Sequence, residues 1–163
     1  MRFRDRLLLR IIHLLKDYLS KPDGSNRSRL YIAAISSLGT DASPNDIAPD
    51  ELGCAESVNA IHKKVFGYEV GGGVSTSQLY KALVSHPKFI AVDTPLEGDV
   101  IISPTGYGNG KLSNGHTGIV GKAGVIMSND SATGLFKENY SLETWRSYYS
   151  SRGGYPVRFF RRI

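Results

Sequence analysis

Cysteine, long apolar runs and repeats are what this sequence has least of. Cys54 is the single cysteine among 163 residues, so no disulfide can form within the chain, and the disulfide-stapled class of small secreted domain is excluded. No segment approaches the run of about 20 apolar residues that spans a bilayer, and no internal repeat is visible. The hydrophobic fraction of 40% is ordinary, and this length fits one domain with a sizeable core.

Acidic residues are fewer than basic ones, with 15 Asp and Glu against 20 Lys and Arg, and the formal net charge is +5. Such a surface attracts anionic partners: nucleic acid, anionic lipid or anionic cell-wall polymers. Because the basic residues are scattered or terminal and are not arranged with aromatic residues on one face, we expect no nucleic-acid partner. Histidine and acidic residues lack ligand-like spacing, so we expect no metal site either.

Residues 1–24 read as a basic amphipathic helix, over residues 3–19, and a linker. Arg10, His13 and Lys16 interrupt its apolar stretch and no small-residue cleavage site follows, so we predict synthesis in the cytoplasm without a cleavable signal peptide. Three interpretations of the helix stay open. It packs on the domain core, lies on an anionic membrane surface, or binds a partner.

Residues 25–163 are predicted to form one α+β domain in which helices precede an antiparallel sheet. Helical spacing covers residues 29–38, the segment from Cys54 to Phe66 before Gly67, and a short helix after the capping-box pattern that begins at Ser75. Short β-branched or aromatic runs then predict strands at 89–92, 99–102, 117–120, 125–127 and 155–160. Because Pro156 removes a ladder donor, we expect the last strand at a sheet edge.

Cys54 lies in the first turn of a predicted helix, directly after Gly53. A helix N-terminus favours the thiolate through its partial positive charge and its unpaired N–H groups. The same N–H groups can hold the oxyanion of an acyl-transfer transition state. Gly53 would let a substrate backbone come close. This pattern predicts a cysteine nucleophile, although a lone buried thiol is the commoner role of a free cysteine.

The predicted base is His116, which opens a strand after a glycine-rich loop and directly follows Gly115. A histidine at the start of a central strand can face a helix N-terminus that packs on the sheet. The other histidines are worse placed: His13 lies in the N-terminal helix, His62 two turns along the cysteine helix, and His86 at a helix end.

A third group should orient the imidazole and fix its tautomer. If the strands around residues 121–124 form a hairpin, the end of the second strand returns beside His116. Asn129 is the first choice for this catalytic role, Asp130 the second, and Ser128 lies behind them. Strand parity is not fixed by the sequence to within one residue.

Three motifs in this order resemble a known family: Gly53-Cys54-Ala-Glu-Ser-Val-Asn-Ala, Leu96-Glu-Gly-Asp99-Val-Ile-Ile and Gly115-His116-Thr-Gly-Ile-Val. Over roughly residues 50–130 the chain is similar to the papain-fold cell-wall hydrolases of the CHAP and NlpC type, which include phage lysins and bacterial autolysins. Glu97 replaces the usual proline of the turn, and the residues after Cys54 depart from the common patterns. Gly98 and Asp99 are interpreted as a turn and its cap.

The resemblance implies a papain-like fold and a peptidoglycan amidase or endopeptidase that needs no cofactor. Candidate substrate contacts are Gly53, Glu56 and Gly115, with a solvated helix face as the alternative for Glu56. We expect action on the cell wall, as a phage lysin, a virion-associated enzyme or a delivered toxin. Two rivals remain: a papain-like effector amidase or peptidase with a non-wall substrate, and a non-catalytic basic binding module.

Overall fold

The structure, a computed structural model, describes residues 25–41 and 53–163. The predicted N-terminal helix therefore lies outside the described residues. In chain order the regular elements are α1 (Asn26–Ser36), α2 (Cys54–Phe66), α3 (Thr76–Ser85), β1 (Phe89–Val92), β2 (Val100–Ser103), β3 (His116–Val120), β4 (Val125–Asn129), β5 (Phe136–Ser141), α4 (Leu142–Trp145), which continues as a π-helical segment (Arg146–Arg152), and β6 (Arg158–Arg162).

Helix ends follow local side-chain and backbone chemistry. The Ser25 hydroxyl accepts from the N–H of Ser28 and starts α1 three residues before the predicted position. Ser75 caps α3 through the N–H of Gln78, as the sequence predicted. Gly67 ends α2 with φ of +81°, a left-handed conformation that glycine adopts at little cost. Among these described helices, none combines the length and apolar content needed to cross a membrane.

The six strands form one antiparallel sheet in the order β1-β6-β2-β3-β4-β5. The mixed α+β class is therefore confirmed. The prediction that the last strand lies at an edge is wrong, because β6 pairs with both β1 and β2. Pro156 precedes the strand, which begins at Arg158, and so removes no donor from either ladder.

Two elements were absent from the sequence-based prediction. β5 has the sequence FKENYS, whose polar, half-exposed character hides an edge strand. α4 begins at a capping box in which Ser141 and Thr144 bond each other's backbone N–H groups. Both elements lie between the predicted strands at 125–127 and 155–160, and both contribute to the site described below.

Side chains of successive sheet residues point to opposite faces and build two cores. One face carries the helix-side core, which includes Leu30, Ala34, Val58, Ile61, Leu79, Leu83, Val100, Ile102, Ile119, Met127 and Phe160. The other carries the aromatic cluster, made of Ile101, Val120, Ile126, Trp145, Tyr149, Tyr155 and Phe159. Helices α1, α2 and α3 cover the first face, and the α4 region covers the second.

The turn before β2 is held by a buried ion pair. The Asp99 carboxylate accepts from the N–H of Leu96 at 2.7 Å and from Nη2 of Arg161 at 2.7 Å, and Asp99 is fully buried. At Gly98, φ is +88°, and a Cβ would lie 2.1 Å from the carbonyl oxygen of Arg27. The interpretation of Gly98 and Asp99 as turn and cap is confirmed.

Candidate active site

Cys54 is the first residue of α2 and is 7% exposed. Burial raises the pKa of its thiol to about 11, because the charged thiolate loses hydration. Three backbone groups oppose that rise: the backbones of Thr117, Ala55 and Cys54 itself lower the pKa of the thiol. The helix N-terminus thus favours the thiolate as the sequence predicted, while desolvation outweighs it in the resting protein.

His116 is the first residue of β3, next to Thr117, whose backbone lowers the pKa of the Cys54 thiol. Cys54 and His116 also line one cavity of about 640 Å³. The structure therefore brings together two side chains that are more than sixty positions apart in the sequence. Helix α2 packs directly on β3 and β4, so the head of the helix meets the start of the strand.

Burial lowers the pKa of His116 to about 4, and the negative charge of Asp130 opposes that shift. The imidazole is therefore neutral near pH 7, and so is the thiol. A neutral imidazole can accept a proton at its free ring nitrogen, which is what a general base requires.

The imidazole is oriented by a two-step hydrogen-bond chain. Nε2 of His116 lies 3.0 Å from Oγ of Ser128, and the Ser128 hydroxyl donates to Oδ1 of Asn139 at 2.6 Å. The hydrogen bond to Nε2 is thus made by Ser128, which the sequence analysis had placed behind Asn129 and Asp130 as a candidate. Asn129 lines the same cavity and accepts a long bond, 3.5 Å, from Nδ2 of Asn139 at its carbonyl.

Strand parity explains why Ser128 and not its neighbour reaches His116. The pairing Ile119↔Met127 and Val120↔Ile126, continued along the strands, sets Ser128 opposite Gly118, on the face that carries His116. Asn129 points to the other face. At Gly118 a Cβ would lie 2.9 Å from Cβ of Ser128, so glycine leaves the space through which the serine approaches the imidazole.

Asn139 reaches Ser128 because of a β-bulge. The register of β4 and β5 shifts between Ile126, which pairs with Tyr140, and Met127, which pairs with Glu138. Asn139 is therefore an extra residue on β5, and bulges of this kind re-aim side chains beside functional sites. Period-two reasoning assumes an unbroken register, so nothing in the sequence marked Asn139 as part of the site.

Aromatic rings hold the imidazole in place. The His116 ring stacks on Trp145 at a centroid distance of 5.3 Å and on Tyr149 at 5.7 Å, and it meets the edge of Tyr140 at 5.8 Å. Nε1 of Trp145 donates to Oγ of Ser103 at 3.1 Å, which fixes the indole. Sequence reasoning missed these rings. The single tryptophan followed by a Tyr-Tyr pair was the signal available.

The cavity is lined by Cys54, Lys111, Leu112, Ser113, Asn114, Gly115, His116, Asn129, Asp130, Ser131, Asn139, Tyr140, Tyr148 and Tyr149. Gly115 belongs to this lining, and a Cβ there would lie 2.0 Å from the Ser103 carbonyl oxygen. The lining includes hydroxyl and amide side chains together with three tyrosines. Asp130 bears a negative charge beside Lys137, whose ammonium group lies 2.8 Å from the carboxylate and lowers its pKa.

Two predicted substrate contacts are not among the described residues that line the cavity. Gly53 caps α2 and is buried, and Glu56 is 4% exposed, so Glu56 is neither on a solvated face nor among the described residues that line the cavity. The first turn of α2 packs inside the domain, which buries both positions. His62 and His86 also lie away from the cavity, in a cluster with Tyr68 and Phe89.

In the part of the chain that the structure describes, no three His, Cys, Asp or Glu side chains are grouped so as to hold a metal ion. No family model matches the chain, and no curated protein matches it either. The function of the cavity is therefore inferred from its own residues and geometry.

Proposed function

We propose that the protein hydrolyses amide bonds, with Cys54 as nucleophile and His116 as general base. One observation carries this proposal: the two side chains share a cavity in which Nε2 of the imidazole is already hydrogen-bonded to Ser128. A nucleophile, a base and an orienting group are the parts that covalent acyl transfer requires. A packing cysteine would need no oriented base beside it.

The reaction follows from these positions. Nδ1 of His116 takes the thiol proton while the sulfur attacks the carbonyl carbon, and a carbon–sulfur bond forms. N–H groups at the head of α2 stabilise the oxyanion. The carbon–nitrogen bond then breaks, and the amine leaves with the proton from Nδ1. Water, deprotonated by His116, attacks the thioester, which releases the carboxylic acid and restores the thiol.

The resting pair is neutral, since burial disfavours both the thiolate and the imidazolium. The proton therefore moves as the substrate arrives and its carbonyl reacts. It follows that slow alkylation of Cys54 by iodoacetamide in the free protein is compatible with catalysis, so alkylation alone does not separate an enzyme from a binding module.

The proposed substrate is peptidoglycan, and the proposed fold is papain-like. Support comes from the order of the three motifs, which resembles the CHAP and NlpC hydrolases, from the net charge of +5, and from a cavity walled by hydroxyl, amide and tyrosine groups. A cysteine-headed helix packed on an antiparallel sheet suits a papain-like hydrolase. Action at the cell wall belongs to the same proposal.

Digestion of purified sacculi tests it. We expect the wild type to release soluble fragments, and Cys54→Ser or His116→Ala to lower the rate by at least about 1,000-fold while circular dichroism stays unchanged. Ser37→Ala is the matched control, because Ser37 is a buried serine with one local hydrogen bond, outside the cavity. Its rate should equal that of the wild type.

The masses of the released fragments then identify the bond that is cut. An amidase separates intact stem peptides from the glycan and leaves a free lactyl carboxyl on the sugar, whereas an endopeptidase leaves part of the peptide attached to the sugar. Intact sacculi together with Cys54-dependent hydrolysis of small peptide amides would move the proposal to a non-wall substrate. If neither substrate is cut, the hydrolase proposal fails.

A further inference from the structure

We infer that Ser128 and Asn139 are positioning residues that select the reactive tautomer of His116 and stabilise its protonated form through a hydroxyl. This inference rests on the proposed function, because it assigns the orienting part of that site. In this arrangement the imidazole of His116 is linked to the side-chain amide of Asn139 through the hydroxyl of Ser128.

Proton counting fixes the tautomer. A serine hydroxyl has one proton, and Ser128 donates it to the amide oxygen of Asn139 at 2.6 Å. The contact at 3.0 Å between Ser128 and His116 must then be a donation from the imidazole Nε2–H. In the neutral ring Nδ1 therefore carries the lone pair, as a base requires. The amide orientation is consistent, since Nδ2 of Asn139 points to the carbonyl of Asn129.

Because the hydrogen bonds from His116 through Ser128 to Asn139 are buried, they affect the protonation of the imidazole strongly. Ser128 is fully buried and His116 is 9% exposed, so the hydrogen bond at Nε2 is poorly replaced by water. When His116 takes the thiol proton, the oxygen of Ser128 accepts from a cationic ring, and the amide dipole of Asn139 is aligned behind it. No proton travels along the chain, because the amide oxygen is too weak a base.

The hydrogen bonds between His116, Ser128 and Asn139 also depend on two features of the backbone. Gly118 leaves the room that Ser128 occupies, and the bulge in β5 supplies Asn139 as an extra residue. Tyr140, the neighbour of Asn139, contacts the imidazole edge as well. Two consecutive residues of β5 therefore serve one histidine, which a regular strand does not allow.

The test combines nitrogen NMR of the histidine rings with kinetics on sacculi. In the full chain, ¹⁵N-labelled at histidine, the His116 signals are those that disappear in His116→Gln. At pH 7 we expect a neutral ring protonated at Nε2. Ser128→Ala should shift the population toward the Nδ1–H form and lower kcat by about 10- to 100-fold with KM little changed. Ser37→Ala, a buried serine elsewhere, should change neither quantity.

Asn139 variants separate positioning from packing. Asn139→Asp places a negative charge at the end of the hydrogen-bond chain, so it should raise the pKa of His116 above that of the wild type. Asn139→Leu has similar volume but no acceptor, and should lower kcat about tenfold without raising that pKa. Asn139 is half-buried, so the introduced carboxylate keeps part of its hydration.

The inference is overturned if Ser128→Ala leaves the tautomer and kcat as they are in the wild type, or if Asn139→Asp does not raise the pKa of His116. The NMR measurement needs no substrate. Should the wild type prove inactive on every amide, the proposed function fails, while the ring signals still decide whether Ser128 and Asn139 set the tautomer.

Discussion

The two faces of the sheet are built from different side chains. The helix-side core is mostly aliphatic and is covered by α1, α2 and α3. The aromatic cluster on the other face uses rings with polar tips: Trp145 donates to Ser103, and Tyr155 donates to the carbonyl of Leu112 at 2.8 Å. Those polar tips reach residues at or beside the cavity, whereas aliphatic side chains supply only packing.

Because of this difference, we expect the helix-side core to determine mainly the stability of the fold and the aromatic cluster to determine mainly the positions of the cavity side chains. An aliphatic core can be changed at a cost in folding free energy while the cavity keeps its geometry. An aromatic ring that also donates a hydrogen bond affects both the folding free energy and the cavity geometry, because its donor fixes the direction of a neighbouring group. We expect variants of the first face to lower stability with little change in rate per folded molecule, and variants of the second to do the reverse.

Among the single substitutions, Leu79→Ala should give the largest loss of stability. Leu79 is fully buried in the helix-side core, so truncation leaves a cavity and lowers the free energy of unfolding by about 2–5 kcal/mol. Urea denaturation measures this. Val84→Ala in the same helix is the control, because Val84 is 61% exposed and should cost less than about 0.5 kcal/mol. A tenfold loss of kcat in folded Leu79→Ala would contradict the separation of the two faces.

The next prediction concerns low pH, which should lower the stability of both faces because each contains a buried histidine. Desolvation lowers the pKa of His62 and of His116 to about 4. The unfolded chain takes up protons on histidine from about pH 6.5, and the folded protein does so only near pH 4. The free energy of unfolding should therefore fall as pH falls through this window, by up to about 3 kcal/mol for each histidine.

His62→Phe measures how much of this acid-induced loss of stability comes from the histidine on the helix side. The ring of His62 lies among Phe66, Tyr68 and Phe89, so phenylalanine can occupy the same space without titrating. Denaturation curves between pH 7 and pH 4 should lose about half of their acid dependence. An unchanged slope would show that His62 does not remain neutral on folding.

Tyr155→Phe should have the smallest effect on stability and the more informative effect on rate. It removes the hydrogen bond to Leu112, a cavity residue, and should cost about 1 kcal/mol. Since the wall of the cavity loses a tether, we expect KM to rise several-fold on sacculi. Tyr80→Phe, whose ring packs against the helix-side core, is the matched control and should leave KM unchanged.

Local patterns predicted the elements that local forces form. Ser75 caps its helix, Gly67 ends α2, and the strands at 89–92 and 125–127 occur within two residues of the predicted bounds. Capping bonds and alternating burial involve neighbours in the chain, so the sequence contains the relevant information. That Cys54 and His116 line one cavity agrees with the predicted pairing, because a helix head and a strand start each carry a local signature.

By itself the sequence determined the α+β class and most of the described elements, and it singled out the two side chains that we propose as nucleophile and base. Tertiary structure alone decided which polar residue orients the imidazole, because that depends on a register shift between β4 and β5 and on the space left at Gly118. It also placed β6 inside the sheet and Glu56 inside the domain. Long-range pairing sets each of these, and a one-residue change of register moves a side chain to the opposite face.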